Sequence, residues 1–113
     1  MTPHIFNYKD YVQDNTIREA RLTITNPING VETPKDLSGA TIKCVFKHKE
    51  EIVTKEIGSG ITVTNPTGGV FKIDEFTLSK AGRYVYDIKI IFPDGTKKTY
   101  VRGHINILAA VSL

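Results

Sequence analysis

Arg83-Tyr84-Val85-Tyr86-Asp87-Ile88-Lys89-Ile90-Ile91-Phe92 decides the fold class. Tyr84, Tyr86, Ile88, Ile90 and Phe92 fall on one face of an extended chain, and Val85, Asp87, Lys89 and Ile91 fall on the other. Pro93-Asp94-Gly95-Thr96 follows as a tight turn, with Gly95 free to take the positive φ that such a turn requires. Lys97 to Leu108 then returns, with Thr99, Val101, Gly103, Ile105 and Ile107 in step. The pair reads as a β-hairpin.

The same period extends outward from this hairpin. Ala20, Leu22 and Ile24 alternate within 17–25, and Ile42, Cys44 and Phe46 within 41–47. Shorter strands are expected at 52–57, 61–64 and 70–73, punctuated by Gly58-Ser59-Gly60 and by Asn65-Pro66-Thr67-Gly68-Gly69, and the stretch near Ile5–Tyr8 adds an edge strand. Pro27, Asn29-Gly30, Pro34 and Gly39 mark 26–39 as a long polar connection. Residues 74–81 have room for a helical turn and read as the crossing between two sheets. Seven or eight short strands with regular turn signals, and no βαβ alternation, give an all-β antiparallel sandwich or barrel.

Composition sets the outer limits. The chain has 113 residues, 40% of them hydrophobic and 24% charged, which fits one folded domain and excludes a disordered tail. Fifteen Lys and Arg against twelve Asp and Glu leave a net charge of +3, too small and too scattered to indicate a nucleic-acid partner. Cys44 is the sole cysteine, so no intrachain disulfide forms, and it reads as a buried inert thiol. No signal peptide and no apolar run of membrane-spanning length is expected.

The search for chemistry yields no catalytic residue, metal site or cofactor. Neither glycine cluster precedes a helix that would hold a phosphate. His4, His48 and His104 have no partner at metal-ligand spacing and read as exposed. Glu50-Glu51 read as a solvated turn. Contact features stand out instead. The run from Ile105 to Leu113 is uncharged, which marks Leu108, Val111 and Leu113 as candidate assembly contacts. Lys98, Tyr100 and Arg102 share the face opposite Val101 and form a candidate exposed basic-aromatic strip, the feature that a single-stranded nucleic-acid binder with an OB-like barrel would use.

Asp36-Leu37-Ser38-Gly39-Ala40-Thr41-Ile42 resembles the "DLTGATI" opening of small bacteriophage virion domains. Gly60-Ile61-Thr62-Val63, Gly69-Val70-Phe71-Lys72-Ile73 and Ala81-Gly82-Arg83-Tyr84-Val85-Tyr86-Asp87-Ile88 follow in order, and the strand through Gly103-His104-Ile105-Asn106-Ile107 closes the set. Across about residues 12–108 this order is similar to the N-terminal domain of phage baseplate upper proteins and related tail and virion proteins. Asp14-Asn15-Thr16 stands where that family has "GDT". The resemblance implies an immunoglobulin-like antiparallel β-sandwich whose role is attachment or assembly. Gly82-x-Tyr84-x-Tyr86 is similar to an immunoglobulin tyrosine corner, with Tyr86 in the place of a cysteine.

The combined expectation is a single domain over 1–113, with segment 1–11 and the apolar tail 108–113 as contact arms. It would be a non-enzymatic virion protein of tail or baseplate type, assembled in the host cytoplasm. Its partners would be other virion proteins or further copies in a symmetric assembly, with no membrane and no nucleic acid. Capsid decoration, or a place at the neck or head fibre, is the alternative within the same class.

Overall fold

Alternation becomes burial along the deciding strand. In the computed structural model, which describes residues 4–111, Tyr84, Tyr86, Ile88 and Ile90 are all buried and the residues between them are exposed. The described residues form β1 (His4–Ile5), β2 (Tyr11–Val12), β3 (Ala20–Thr23), β4 (Thr25–Ile28), β5 (Val31–Pro34) and β6 (Thr41–His48). They continue through β7 (Glu51–Ile57), β8 (Gly60–Asn65), β9 (Val70–Ile73), β10 (Gly82–Ile91) and β11 (Lys97–Leu108).

Hydrogen bonding links the strands in the order β1-β11-β10-β6-β7-β8-β9-β3, and β2 also pairs with β11. The link between β7 and β8 is only the short parallel register Glu56↔Gly60 and Ile57↔Ile61. There the chain turns at Gly58-Ser59 and the sheet curls over. The β8-β9-β3 part thus lies across the β11-β10-β6-β7 part, with Ile61, Phe71 and Ile73 sharing one core with Ile42, Phe46, Tyr84 and Ile88. Antiparallel β11-β10-β6-β7 facing β8-β9-β3, with β1 and β2 running parallel to β11, is the strand order of an immunoglobulin-like sandwich.

Aromatic rings occupy the centre. Phe46 stacks on Tyr86 with centroids 5.0 Å apart, Tyr8 meets Tyr86 edge-on at 5.6 Å, and Phe76 lies 5.1 Å from Phe46. This group stands where antibody domains place a Trp against an inter-sheet disulfide. Beside it Cys44 is fully buried, as the alternation requires.

At the start of β10, the Tyr84 hydroxyl donates to Glu51 Oε1 at 2.5 Å. His48 lies over the Tyr84 ring at 4.8 Å; its Nδ1 accepts the Glu50 N–H, which leaves Nε2–H to donate to the Ala81 carbonyl. Gly82 completes this corner with φ +125°, and a Cβ there would sit 2.8 Å from His48 Nε2. The turn expected to be merely solvated therefore holds two structural groups, Glu51 and His48.

Three expectations change. Residues 26–39 are not only a connection, because β4 and β5 form a hairpin through Asn29-Gly30. Both turn residues have positive φ (51° and 78°), the geometry that the Asn-Gly pair accommodates. Residues 74–81 contain no helix; Phe76 and Ile17 exchange backbone hydrogen bonds and Leu78 is buried, so an extended segment carries the crossing. The described part of the segment read as an N-terminal arm, residues 4–11, lies on the chain's own sheet. Phe6 N–H donates to Arg102 O, Tyr8 N–H donates to His104 O, and the Tyr86 hydroxyl donates to Phe6 O at 2.6 Å. Gly103 permits this approach, since any Cβ there would collide with the Phe6 carbonyl.

Removing the Tyr84 hydroxyl takes the short bond from Glu51 Oε1 and leaves Glu51 with the 3.5 Å bond from Ser79 Oγ, so Tyr84→Phe is expected to cost about 2 kcal/mol in urea unfolding. Burial pushes both the Tyr84 phenol and the Cys44 thiol up to about 12. In the unfolded chain these groups ionise first, near ~10 and ~8.5, so stability is intact below that range and falls as pH rises toward about 12. Alkaline denaturation followed by circular dichroism checks this, and Tyr84→Phe is expected to flatten the upper part of the decline.

Candidate functional site

The residues that alternate away from the core build a surface. Val85 on β10 lies opposite His104 on β11 and Lys47 on β6, and Lys47 lies opposite Ile52 on β7. The adjacent row runs Ile5, Arg102, Asp87, Val45 and Thr54 across all five strands. All of these except Ile52 and Thr54 line an open groove of about 890 Å³ on the outer face of the sheet. Ile5 (56%) and Val85 (51%) are exposed in it, and Ile52 (63%) is exposed beside it on the same face.

The charge on this face is one-sided. Lys47, Arg83, Lys89 and Arg102 line the groove against the single acid Asp87. Eleven Lys and Arg and eleven Asp and Glu remain elsewhere in the chain, so this face carries the whole net charge of +3. Among the described residues none of these four cations forms a salt bridge, although Arg83 Nε donates to Asn106 Oδ1 at 3.2 Å. Asp87 stands across from Arg102 in the register, and the other cations have no carboxylate partner.

A second, smaller cleft of about 450 Å³ opens between β1 and β3, lined by Phe6, Leu22, Pro27, Tyr100 and Val101 among others. It owes its shape to an irregularity in β11. Ile88 pairs with Val101 but Lys89 pairs with Thr99, so Tyr100 is the extra residue of a β-bulge. The bulge turns Tyr100 inward beside Val101, and it is only 6% exposed, with its ring edge-on to Phe92.

This corrects the expected basic-aromatic strip. Lys98 and Arg102 are both exposed, but they stand opposite Ile90 and Asp87 respectively, and the bulge between them removes Tyr100 from the surface. Adjacent apolar residues at Tyr100-Val101 were the signal in an otherwise alternating strand. Arg102 instead joins the outer groove.

Of the candidate assembly contacts, Leu108 is 51% exposed at the end of β11 opposite Val12, and Val111 is fully exposed. Leu113 lies outside the described residues. Gln13 ties this end down: its N–H donates to Leu108 O, its side-chain amide to Ser79 O, and its Oε1 accepts from Ala110 N–H.

Among the described residues no three His, Cys, Asp or Glu side chains come together as a metal site, and no helix is long and apolar enough to cross a membrane. Sequence reading missed the groove because its members come from four separate strands; only their outward parity linked them.

No family model and no curated protein matches the chain. Among solved structures, the chain is similar to part of a provisionally assigned glycoside hydrolase from Bacteroides vulgatus ATCC 8482, with a TM-score of 0.53 and 13% identity over 92% of the chain. The chain spans 17% of that protein's length, and at this identity the likeness is one of fold. Murine CRIg aligns over 97% of this chain and 95% of its own, at 12% identity and a TM-score of 0.34.

Because Tyr100 fills space between the sheets, Tyr100→Ala is expected to lower stability by about 3 kcal/mol, whereas Lys98→Ala changes it by less than about 0.5 kcal/mol. Thermal melts of the two variants check the inward bulge.

Proposed function

We propose that the chain is a non-enzymatic structural module that works by protein–protein contact, as an adaptor or attachment domain of a bacteriophage virion. The ordered resemblance over about residues 12–108 supports the virion setting, with capsid decoration or a neck position as the alternative place. The observation that carries the contact role is the outer sheet face, where Ile5, Val85 and Ile52 stay exposed between unpaired cations. An open face with outward aliphatic anchors and a charged surround suits recognition of another protein surface. Leu108 and Val111 add exposed apolar side chains at the far end of β11.

Particles purified by density gradient from lysates of cells encoding the chain are expected to contain it at a fixed ratio to the major virion protein. Its absence from such particles overturns the proposal. The double variant Leu108→Asp/Val111→Asp alters exposed positions only, so its melting temperature is expected to hold. If these residues anchor the module, its incorporation falls at least about tenfold, as expected for losing a contact hot spot.

A further inference from the structure

We propose that the outer face of β11-β10-β6-β7 docks an acidic protein segment that alternates carboxylates with aliphatic side chains. This deepens the contact reading above and rests on it. The argument starts from charge. The rest of the chain sums to neutrality, while Lys47, Arg83, Lys89 and Arg102 line one groove in which Asp87 is the only acid; Glu56 on the same face is paired with Lys43. Like charges held near one another on a sheet repel, and that cost persists until a partner brings the opposite sign.

The same face selects among anionic partners. Val85 and Ile52 flank Lys47 along one row, so aliphatic and cationic positions alternate across the strands. Nucleic-acid strands are held by aromatic stacking beside cations. Here the nearby rings of Tyr84, Tyr86 and Tyr100 are buried. A second copy of this chain is excluded as a symmetric occupant, because it would bring the same positive charge to the contact. An extended acidic segment satisfies both features: its carboxylates meet the cations and its aliphatic residues cover Val85 and Ile52.

The test uses the intact chain and a labelled peptide of about twelve residues alternating Glu and Val, titrated by fluorescence anisotropy. Binding is expected at about 50 mM salt and should weaken steeply toward about 300 mM, as screening shortens below the spacing of the charges. The variant Lys47→Gln/Lys89→Gln/Arg102→Gln should melt normally and bind at least about tenfold more weakly, while Asp87→Asn should bind more tightly. Amide shifts on peptide addition should centre on Val45, Val85 and His104. Equal binding by the triple variant, shifts centred elsewhere, or no binding overturns the proposal. Tighter binding of an oligothymidylate of matched charge also overturns it, in favour of a nucleic-acid partner. Particle content of the unaltered chain is scored separately, so loss of the virion reading and loss of this docking face give different results.

Discussion

Phe46 and Tyr86 meet face to face in the middle of the molecule, and most of the architecture is arranged to keep them there. β6 and β10 are neighbours in one layer, so the two rings stand side by side and present a joint surface to the crossing segment at Phe76. Tyr8 closes the other side, and the Tyr86 hydroxyl reaches past it to the Phe6 carbonyl. One contact therefore couples the central sheet, the inter-layer crossing and the N-terminal strand. A covalent bridge would join two points; this cluster joins three segments by packing alone. Tyr8 takes part through its ring, since its buried hydroxyl has no hydrogen-bond partner among the described residues.

The corner at Tyr84 complements that cluster. Sandwiches must pass the chain from one layer to the other without leaving backbone groups unpaired. Here His48 and Glu51 converge on the entry to β10. Polar residues of the β6–β7 turn thus set the register of a strand more than thirty residues further on. With β10 fixed, its outward residues and those of β6 and β11 come into line, and a charged face results from positions chosen by the core.

Much of this was legible in residue order. The β10–β11 hairpin, the inward parity of Tyr84, Tyr86 and Ile88, the lone buried Cys44 and the three short strands after Glu51 all follow from period-two patterning and turn glycines. The positions of Glu51 and His48 were not legible, because their partners Tyr84 and Ala81 are about 33 residues away and a turn composition gives no sign of them. Tyr100 misled for a local reason: one extra residue in a strand inverts the facing of everything on one side of it, and parity counted from Leu108 carries no mark of where the slip occurs. The outer groove was hidden for the opposite reason. Each member was correctly placed on a strand, but strand order across the sheet is needed before Lys47, Val85 and Arg102 become neighbours.

The β4–β5 hairpin is a separate two-stranded sheet in a molecule that measures 52 × 27 × 21 Å. Its Ile28 and Val31 are more than half exposed, and its strands pair only with each other. Little in the core depends on how long it is. The tip at Asn29-Gly30 is thus a natural place for lineages of this domain to lengthen or exchange chain while the rest stays fixed, much as a handle is changed without altering the tool.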